Sequence, residues 1–259
     1  MKKKDISVEV LVAAMHQSDK SLLDRMRIET DAIIGNQCDG DSIERFEWNG
    51  NNIIYLNFSE RGVGLNRNNA MIRARGDICL LADEDIIYVK GYANKVRKAF
   101  SRFGNADVII FNIYEKPVTR YVIKHATRVW WHNFLRYGAV RIAFRRESIV
   151  ENGIYFNQNF GGGCQYQHGE DNIFLAECLS KGLKVYAVPV YIAMLTPGST
   201  STWRKGYTEK YFSDQGRLYR TIFKRWWKLI SFQDAIRHQN LYKKNWLRVF
   251  WEMLDQKGN

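Results

Sequence analysis

Strand-like and helix-like runs alternate through the first 110 residues, and that alternation narrows the possible folds more than any other feature of the chain. Ser7 to Ala13, Ala32 to Gly35, Asn52 to Phe58, Ile78 to Ala82 and Val108 to Tyr114 are short aliphatic runs of strand length. Between them lie Ser21 to Ile28, a segment carrying Ala70, Met71 and Ala74, and Gly91 to Phe103, each with helical spacing. Asn66 is placed to cap the second of these helices and Gly76 to stop it. Such alternation predicts a largely parallel α/β sheet with crossover helices. Open α/β sheets bind ligands outside the carboxyl ends of their strands. Asp83, Glu84 and Asp85 stand at such an end in the stretch LLADEDIIYV. A lone acidic triplet is most often a solvated turn, so its meaning depends on what accompanies it.

Further along, the segment 116–138 is aromatic and basic without a clean period, and Arg141 to Phe144 returns to strand character. Then comes NQNFGGGCQYQHGEDNIFLAECLSKG: a glycine-rich loop, an acidic pair and an amphipathic helix. Phe174, Leu175, Cys178 and Leu179 form its apolar face, and Gly182 ends it. Glu170 and Asp171 fall in its first turn, where carboxylates complement the helix dipole whatever else they do. Lys184 to Leu195 is a final long strand region, and no internal repeat or low-complexity linker interrupts the chain.

Composition sets the class of partner. The 259 residues can bury a full core, and an aromatic share of 14% argues against extended disorder. A net charge of +12 favours anionic partners: phosphorylated ligands, acidic lipid surfaces or nucleic acid. From Arg204 onward, 13 Lys or Arg face 5 Asp or Glu, so two thirds of the excess lies in the last 56 residues. Cys38, Cys79, Cys164 and Cys178 show no CxxC and suit reduced thiols of a cytoplasmic protein. At the N-terminus, Asp5 and Glu9 interrupt the apolar run of MKKKDISVEVLVAAM, which reads as a first strand and not a signal peptide. No stretch reaches the ~18 apolar residues of a spanning helix.

Several nucleotide-binding signatures are missing. There is no GxxxxGK[ST], and GVGLNR at 62–67 is an incomplete dinucleotide loop that does not follow the first strand. The exit of strand one, AAMHQSD, lacks the glycine-rich loop of a sugar-phosphate nucleotidyltransferase. What remains is an ordered set: GLNRNNAMIRARGD, then ADED after a strand, then GED opening a later helix. In that order and spacing, GVGLNRNNAMIRARGDICLLADED and FGGGCQYQHGEDNIF resemble the motifs of family 2 glycosyltransferases of the GT-A fold, over roughly residues 6 to 195.

The resemblance implies a Rossmann-like, mostly parallel central sheet with flanking helices. It places a catalytic domain over residues 1–203, with a nucleotide-sugar half to about 110 and an acceptor half from about 111. Residues 204–259 form a basic aromatic helical extension. The implied reaction is inverting, metal-dependent transfer of one sugar from a nucleoside-diphosphate donor, a UDP-sugar, to a glycan or lipid-linked glycan. Asp85 would ligate Mn²⁺ or Mg²⁺, Asp83 would contact the ribose or sugar, and Arg67 would meet the donor near its phosphates. Of the ED pair, Asp171 would be the general base and Glu170 would position the acceptor or serve as the base itself. Gly162 and Gly163 would let the backbone approach the acceptor.

The family's second strand usually ends in two acids followed by Gly-Ser; here it reads AIIGNQCDGD, so Asn36, Gln37 or Asp39 would hold the nucleoside. The QxxRW motif of processive synthases is absent, which favours single additions. His168 is a further metal ligand or a structural histidine, and Trp130 and Trp131 are a sugar platform or core, with core expected for at least one. Trp203 would close over the donor.

The tail segment RLYRTIFKRWWKLISF sets Leu218, Ile222, Phe223, Trp226 and Ile230 against Arg217, Arg220, Lys224, Arg225 and Lys228. A basic helix with interfacial tryptophans implies an anionic membrane surface, hence a cytoplasmic protein peripheral on the inner face of the membrane. Nucleic acid is disfavoured because no recognition motif accompanies the charge. The alternative is a helix packed on the catalytic domain. Two competing functions stand beside transfer: nucleotidyltransfer, and a catalytically inactive membrane- or glycan-binding relative.

Overall fold

A computed structural model describes residues 6–196, 198 and 206–255. The chain opens with β1 (Val8–Met15), α1 (Ser21–Met26), β2 (Asp31–Gln37), β3 (Ser42–Trp48), β4 (Asn51–Phe58), α2 (Val63–Arg73), β5 (Ile78–Asp83), β6 (Ile86–Tyr88), α3 (Tyr92–Arg102) and β7 (Val108–Tyr114). It continues with β8 (Thr127–Arg128), β9 (Ile142–Arg145), α4 (Arg146–Glu151), α5 (Glu170–Ser180) and β10 (Val185–Leu195). Four helices close it: α6 (Glu209–Phe223), α7 (Trp227–Arg237), α8 (Gln239–Tyr242) and α9 (Trp246–Leu254).

The strands form one sheet in the order β3-β4-β2-β1-β5-β9-β7-β10-β6, with β8 beside β10. The expected parallel ladders are present: β4-β2-β1-β5 run together, as do β7 and β10. Antiparallel pairings come from β9, inserted between β5 and β7, and from β3, β6 and β8. β3 escapes the sequence pattern because it is an edge strand whose residues are mostly exposed, so no apolar period marks it. Because β9 opposes both β5 and β7, those two strands point the same way. Their carboxyl ends, Asp83 and Tyr114, share one edge with the ends of β1, β2, β4 and β10.

Alternate residues of the parallel strands feed two cores. Val10, Val12, Ile34 and Leu80 pack with α1 and α3 through Leu22, Tyr92, Val96 and Phe100. Leu11, Ile33, Cys79 and Leu81 pack on the other face with Ala70 and Met71 of α2 and Phe174 and Leu175 of α5. Asn66 does not cap α2: the helix begins at Val63 behind Gly62, and Asn66 is buried in its first turn, where its amide donates to the Gly35 carbonyl (2.7 Å). α5 ends as expected at Gly182, whose φ of 78° allows the Gly182 and Leu183 amides to bond the Leu179 and Cys178 carbonyls. The four cysteines are free, and Cys79 and Cys178 are buried.

The basic tail is helical but is not one helix. Lys224 takes a left-handed backbone (φ 44°) and breaks it between α6 and α7. Phe212, Tyr219, Ala235, Tyr242, Val249 and Met253 give the tail a small core of its own. α6 also reaches α5 and the loop before it, where Leu218 is fully buried against Phe160 and Ile173. No helix among the described residues is long and apolar enough to cross a membrane.

Candidate active site

Arg67 is the centre of the carboxyl edge. The first turns of α2 carry it inward until only 3% of it is exposed. Nη1 donates to Oε1 of Glu170 at 2.7 Å and Nη2 donates to Oδ1 of Asp83 at 2.8 Å. One guanidinium therefore ties the end of β5 to the start of α5. Burial alone would lower its pKa, but the charges of Asp83 and Glu170 outweigh that and hold it above its ordinary value. Its fork is bidentate across two different carboxylates, a geometry that lysine cannot supply.

The loop before α5 explains why glycines sit there. Gly161 has φ of 104°, and a Cβ on it would lie 2.4 Å from Val63 Cγ1 and 2.7 Å from Glu170 Oε2. Its missing side chain is thus the space that Glu170 occupies. Gly162 accepts the Val63 amide through its carbonyl (2.9 Å), and Gly163, at φ 77°, lies against Gly62. Both glycines expected to face the acceptor fold the loop onto the start of α2.

Asp171 follows Glu170 but points elsewhere. Its carboxylate accepts the Asn172 amide at 2.7 Å and faces Gly138, where an added Cβ would meet Oδ2 at 3.6 Å. Burial first, and the neighbouring Glu170 charge second, push its pKa up to about 7, partly opposed by Arg67 and by the amides of Asn172 and Ala139. The adjacent acids thus have different environments: Glu170 bonds a guanidinium directly, while Asp171 accepts from backbone amides and feels Arg67 only through its charge.

The acidic triplet divides its work. Asp83 is half exposed beside Arg67. Glu84 Oε2 accepts the Met15 amide (3.1 Å) and Gln17 Nε2 (2.7 Å), which fixes the loop leaving β1. The Asp85 carbonyl accepts the Thr196 amide and hydroxyl (2.8 and 2.9 Å), anchoring the turn into β6. No group of three or more His, Cys, Asp or Glu side chains is gathered for a metal among the described residues.

Of the residues expected to hold the nucleoside, Asn36 is buried and bonds the Gln17 backbone through both ends of its amide (2.9 Å each), with Asn57 as a third partner. Gln37 donates to the Glu60 and Gly62 carbonyls (3.0 and 3.3 Å), supporting the approach to α2. Asp39 is exposed and pairs with Arg61 at 3.1 Å. Trp203 lies outside the described residues.

His168 bonds Gln215 of α6 at 2.7 Å and stacks on Tyr211, with ring centroids 4.6 Å apart. Its neighbours are tied to the same helix: the Gln167 amide donates to Asp214 (3.0 Å), and Gly169 leaves room for Leu218. α6 thus follows the packed alternative for the tail and clamps the loop that delivers Glu170 and Asp171. Trp130 and Trp131 are both substantially exposed, contrary to the expectation of at least one core tryptophan; Trp131 rests edgewise on Phe134 and Phe223.

Compared with known proteins, residues 20–156 match the model of the family described as Glycosyl transferase family 2. By sequence the chain matches none of the curated proteins compared. Among solved structures it is similar to S. aureus TarS 1-349 in complex with UDP-GlcNAc, with a TM-score of 0.67 at 16% identity, covering 97% of this chain and 81% of that one. It is similar also to the UDP complex of the same fragment (TM-score 0.58, 16% identity, 91% and 72% covered). The comparison with S. aureus TarS gives a TM-score of 0.60 at 16% identity, covering 90% of this chain and 44% of the other.

Proposed function

The chain belongs to glycosyl transferase family 2, and from that premise we propose that it moves one sugar from a UDP-sugar to a glycan or lipid-linked glycan with inversion. The observation that carries this reading is the Arg67 bridge, which joins Asp83 at the donor edge to the helix start that bears Asp171. The acceptor oxygen attacks the anomeric carbon, the bond from that carbon to the diphosphate oxygen breaks, and the acceptor proton passes to Asp171. A base works best with a pKa near the operating pH. Asp171 has that, whereas one oxygen of Glu170 is taken up by the Arg67 guanidinium at 2.7 Å. Glu170 is therefore assigned to holding Arg67 and the loop, and Asp171 to catalysis.

Asp83 and Arg67 are assigned to the donor's ribose and phosphates. Asn36 and Gln37 are assigned to shaping the nucleoside loop, since their amides bond backbone on either side of it. UDP as the carrier is supported by the likeness to TarS, whose complexes hold UDP-GlcNAc and UDP. Gly162 and Gly163 shape the acceptor wall through the loop they fold.

The donor set fits a hard cation of the Mg²⁺ or Mn²⁺ kind only in part. Asp83 and Glu84 are engaged with Arg67, Met15 and Gln17, and Asp85, the last acid of the triplet, is the residue assigned to hold it. When bound, the ion supplies neutralisation of the leaving diphosphate.

Peripheral membrane binding is supported by the exposed side chains of Trp226, Leu229 and Ile236 among Arg225, Lys228 and Arg237. The test of the whole reading is release of UDP from UDP-sugars on incubation with the protein. Release of pyrophosphate from a sugar phosphate and nucleoside triphosphate, without UDP release, would overturn it.

A further inference from the structure

Arg67 and Arg141 are both buried arginines, and they differ in their counter-charges. Arg67 holds two carboxylates. Arg141, 1% exposed, donates to three neutral acceptors: the carbonyls of Phe111 (2.6 Å) and Tyr121 (2.8 Å) and Oδ1 of Asn112 (2.8 Å). These take three of its five N–H donors. Among the described residues it makes no ion pair within 4.0 Å. Burial accordingly pushes its pKa down to about 10. A buried cation ordinarily has an anion beside it.

Arg141 lines a cavity of about 60 Å³ whose outer walls, Tyr114, Val118 and Tyr121, are about half exposed or more. Arg120 lines it too. Glu115, the acid in that lining, is engaged by Arg120 and by the amide (2.9 Å) and hydroxyl (3.2 Å) of Thr119, so its charge is answered within its own loop. Tyr114 and Tyr191 stack at 4.1 Å to give the cavity an aromatic side, and Arg136 lies over the Tyr121 ring at 4.6 Å. The position is as informative as the lining. Tyr114 ends β7 on the ligand-binding edge of the sheet, and Arg141 follows by three residues Gly138, which lies against the Asp171 carboxylate.

We propose that this cavity is a subsite for an anionic group of the acceptor, a phosphate or a carboxylate, held by Arg141 and Arg120 with tyrosine rings beside it. Assigning the anion to the acceptor rests on the transferase reading, whereas the anion site itself does not. A neutral glycan would add no counter-charge to the guanidinium, whose nearby acid, Glu115, offsets its burial only in part. An acceptor charged close to its reacting hydroxyl would be drawn into register with Asp171.

The test is an amide-shift titration of the full chain by nuclear magnetic resonance, with UDP at saturation to occupy the donor edge. The probes are methyl phosphate, methyl glucuronide and, as a neutral control, methyl glucoside. Shifts at Asn112, Tyr114, Tyr121 and Arg141 that saturate with either anion and not with the glucoside are expected. The stronger of the two anions identifies the group. Arg120→Gln, which changes a partly exposed side chain, should weaken that anion at least fivefold, and Arg141→Lys should weaken it as well. Silence of these amides at 50-fold more anion than UDP, or equal binding by Arg120→Gln, would overturn the subsite. If the amides respond but no UDP-sugar is consumed, the transferase reading fails and the anion site stands. If UDP-sugar is consumed and the amides stay silent, the subsite fails alone.

Discussion

Arg67 Nη1 lies 2.7 Å from Glu170 Oε1, a buried ion pair between residues 103 positions apart in the chain. It fixes the first turn of α5 relative to the end of β5, and with it the place of Asp171. Removing one partner of such a pair leaves the other charge buried and unpaired. Arg67→Met should therefore destabilise the fold by roughly 3–5 kcal/mol. Glu170→Gln should cost less, because the amide oxygen still accepts from Arg67. Urea unfolding measures both; a wild-type midpoint for Arg67→Met would show that the pair does not hold the fold.

Asp171→Asn should separate chemistry from binding. Transfer should fall roughly 10²–10⁴-fold, the range for a lost general base, while the calorimetric affinity for UDP stays near wild type. If transfer persists and Glu170→Gln abolishes it with the fold intact, the base is Glu170.

The raised pKa of Asp171 makes two signs testable. Because the carboxylate is the active form, transfer should decline as pH drops below about 7. In stability the sign is opposite. Folded Asp171 keeps a proton that the unfolded chain releases near pH 4, so this group's contribution becomes less favourable as pH rises from about 4 to about 7. Asp171→Asn should thus melt higher than wild type at pH 8, with the gap closing toward pH 4. A gap that is constant with pH would mean that the folded pKa is not raised.

Gly161→Ala tests the packing of the glycine loop. The new methyl would overlap Val63 Cγ1 and Glu170 Oε2 and would sit on a backbone at φ 104° that side chains rarely adopt. We expect a loss of at least 1–3 kcal/mol from the backbone strain alone. Transfer should fall with it, as Glu170 and the turn bearing Asp171 are displaced. Gly163→Ala carries backbone strain of the same kind at φ 77°, but its nearest contact is Gly62 N at 3.2 Å, so the overlap is smaller and the variant should be milder. Paired thermal melts and activity assays decide; equal effects at the two sites would refute the Glu170 packing argument.

Much of this arrangement was legible in the sequence because buried parallel strands advertise themselves. The runs Ser7 to Ala13, Ala32 to Gly35, Asn52 to Phe58, Ile78 to Ala82 and Val108 to Tyr114 are largely apolar, and apart from Ser7 each lies in a strand. The acids after β5 and at the start of α5 were visible as punctuation between apolar runs. Partners separated by a hundred residues were not. Arg67 looks like an ordinary helical arginine until α2 turns it inward onto Glu170. Arg141 had a signal that went unused: a charge inside the apolar run AVRIAF, which a buried strand start tolerates only with acceptors waiting for it. The glycine loop was located correctly, but its reason, room for Val63 and Glu170, depends on elements that sequence spacing cannot bring together.

The tail yields the last prediction, because its two helical parts do different things. Sequence periodicity places Leu218, Ile222, Phe223, Trp226 and Ile230 on one outward stripe, but the break at Lys224 divides it. Leu218 is buried against Phe160 and Ile173, and α6 binds the loop before α5 through Asp214 and Gln215. The exposed apolar face belongs instead to Trp226, 67% exposed, and to Leu229 and Ile236 of α7, with Leu247 and Trp251 of α9. Replacing Trp226, Leu229 and Ile236 together by serine touches no residue of the clamp. Such a variant should lose sedimentation with anionic liposomes, most clearly in the part that resists salt, while keeping wild-type UDP-sugar hydrolysis. Deleting from Glu209 onward should instead abolish hydrolysis, since it strips the clamp from the loop that carries Glu170 and Asp171. Unchanged sedimentation of the triple variant would return α7 to a purely structural role. Full hydrolysis by the deleted chain would show that the loop holds its place without α6.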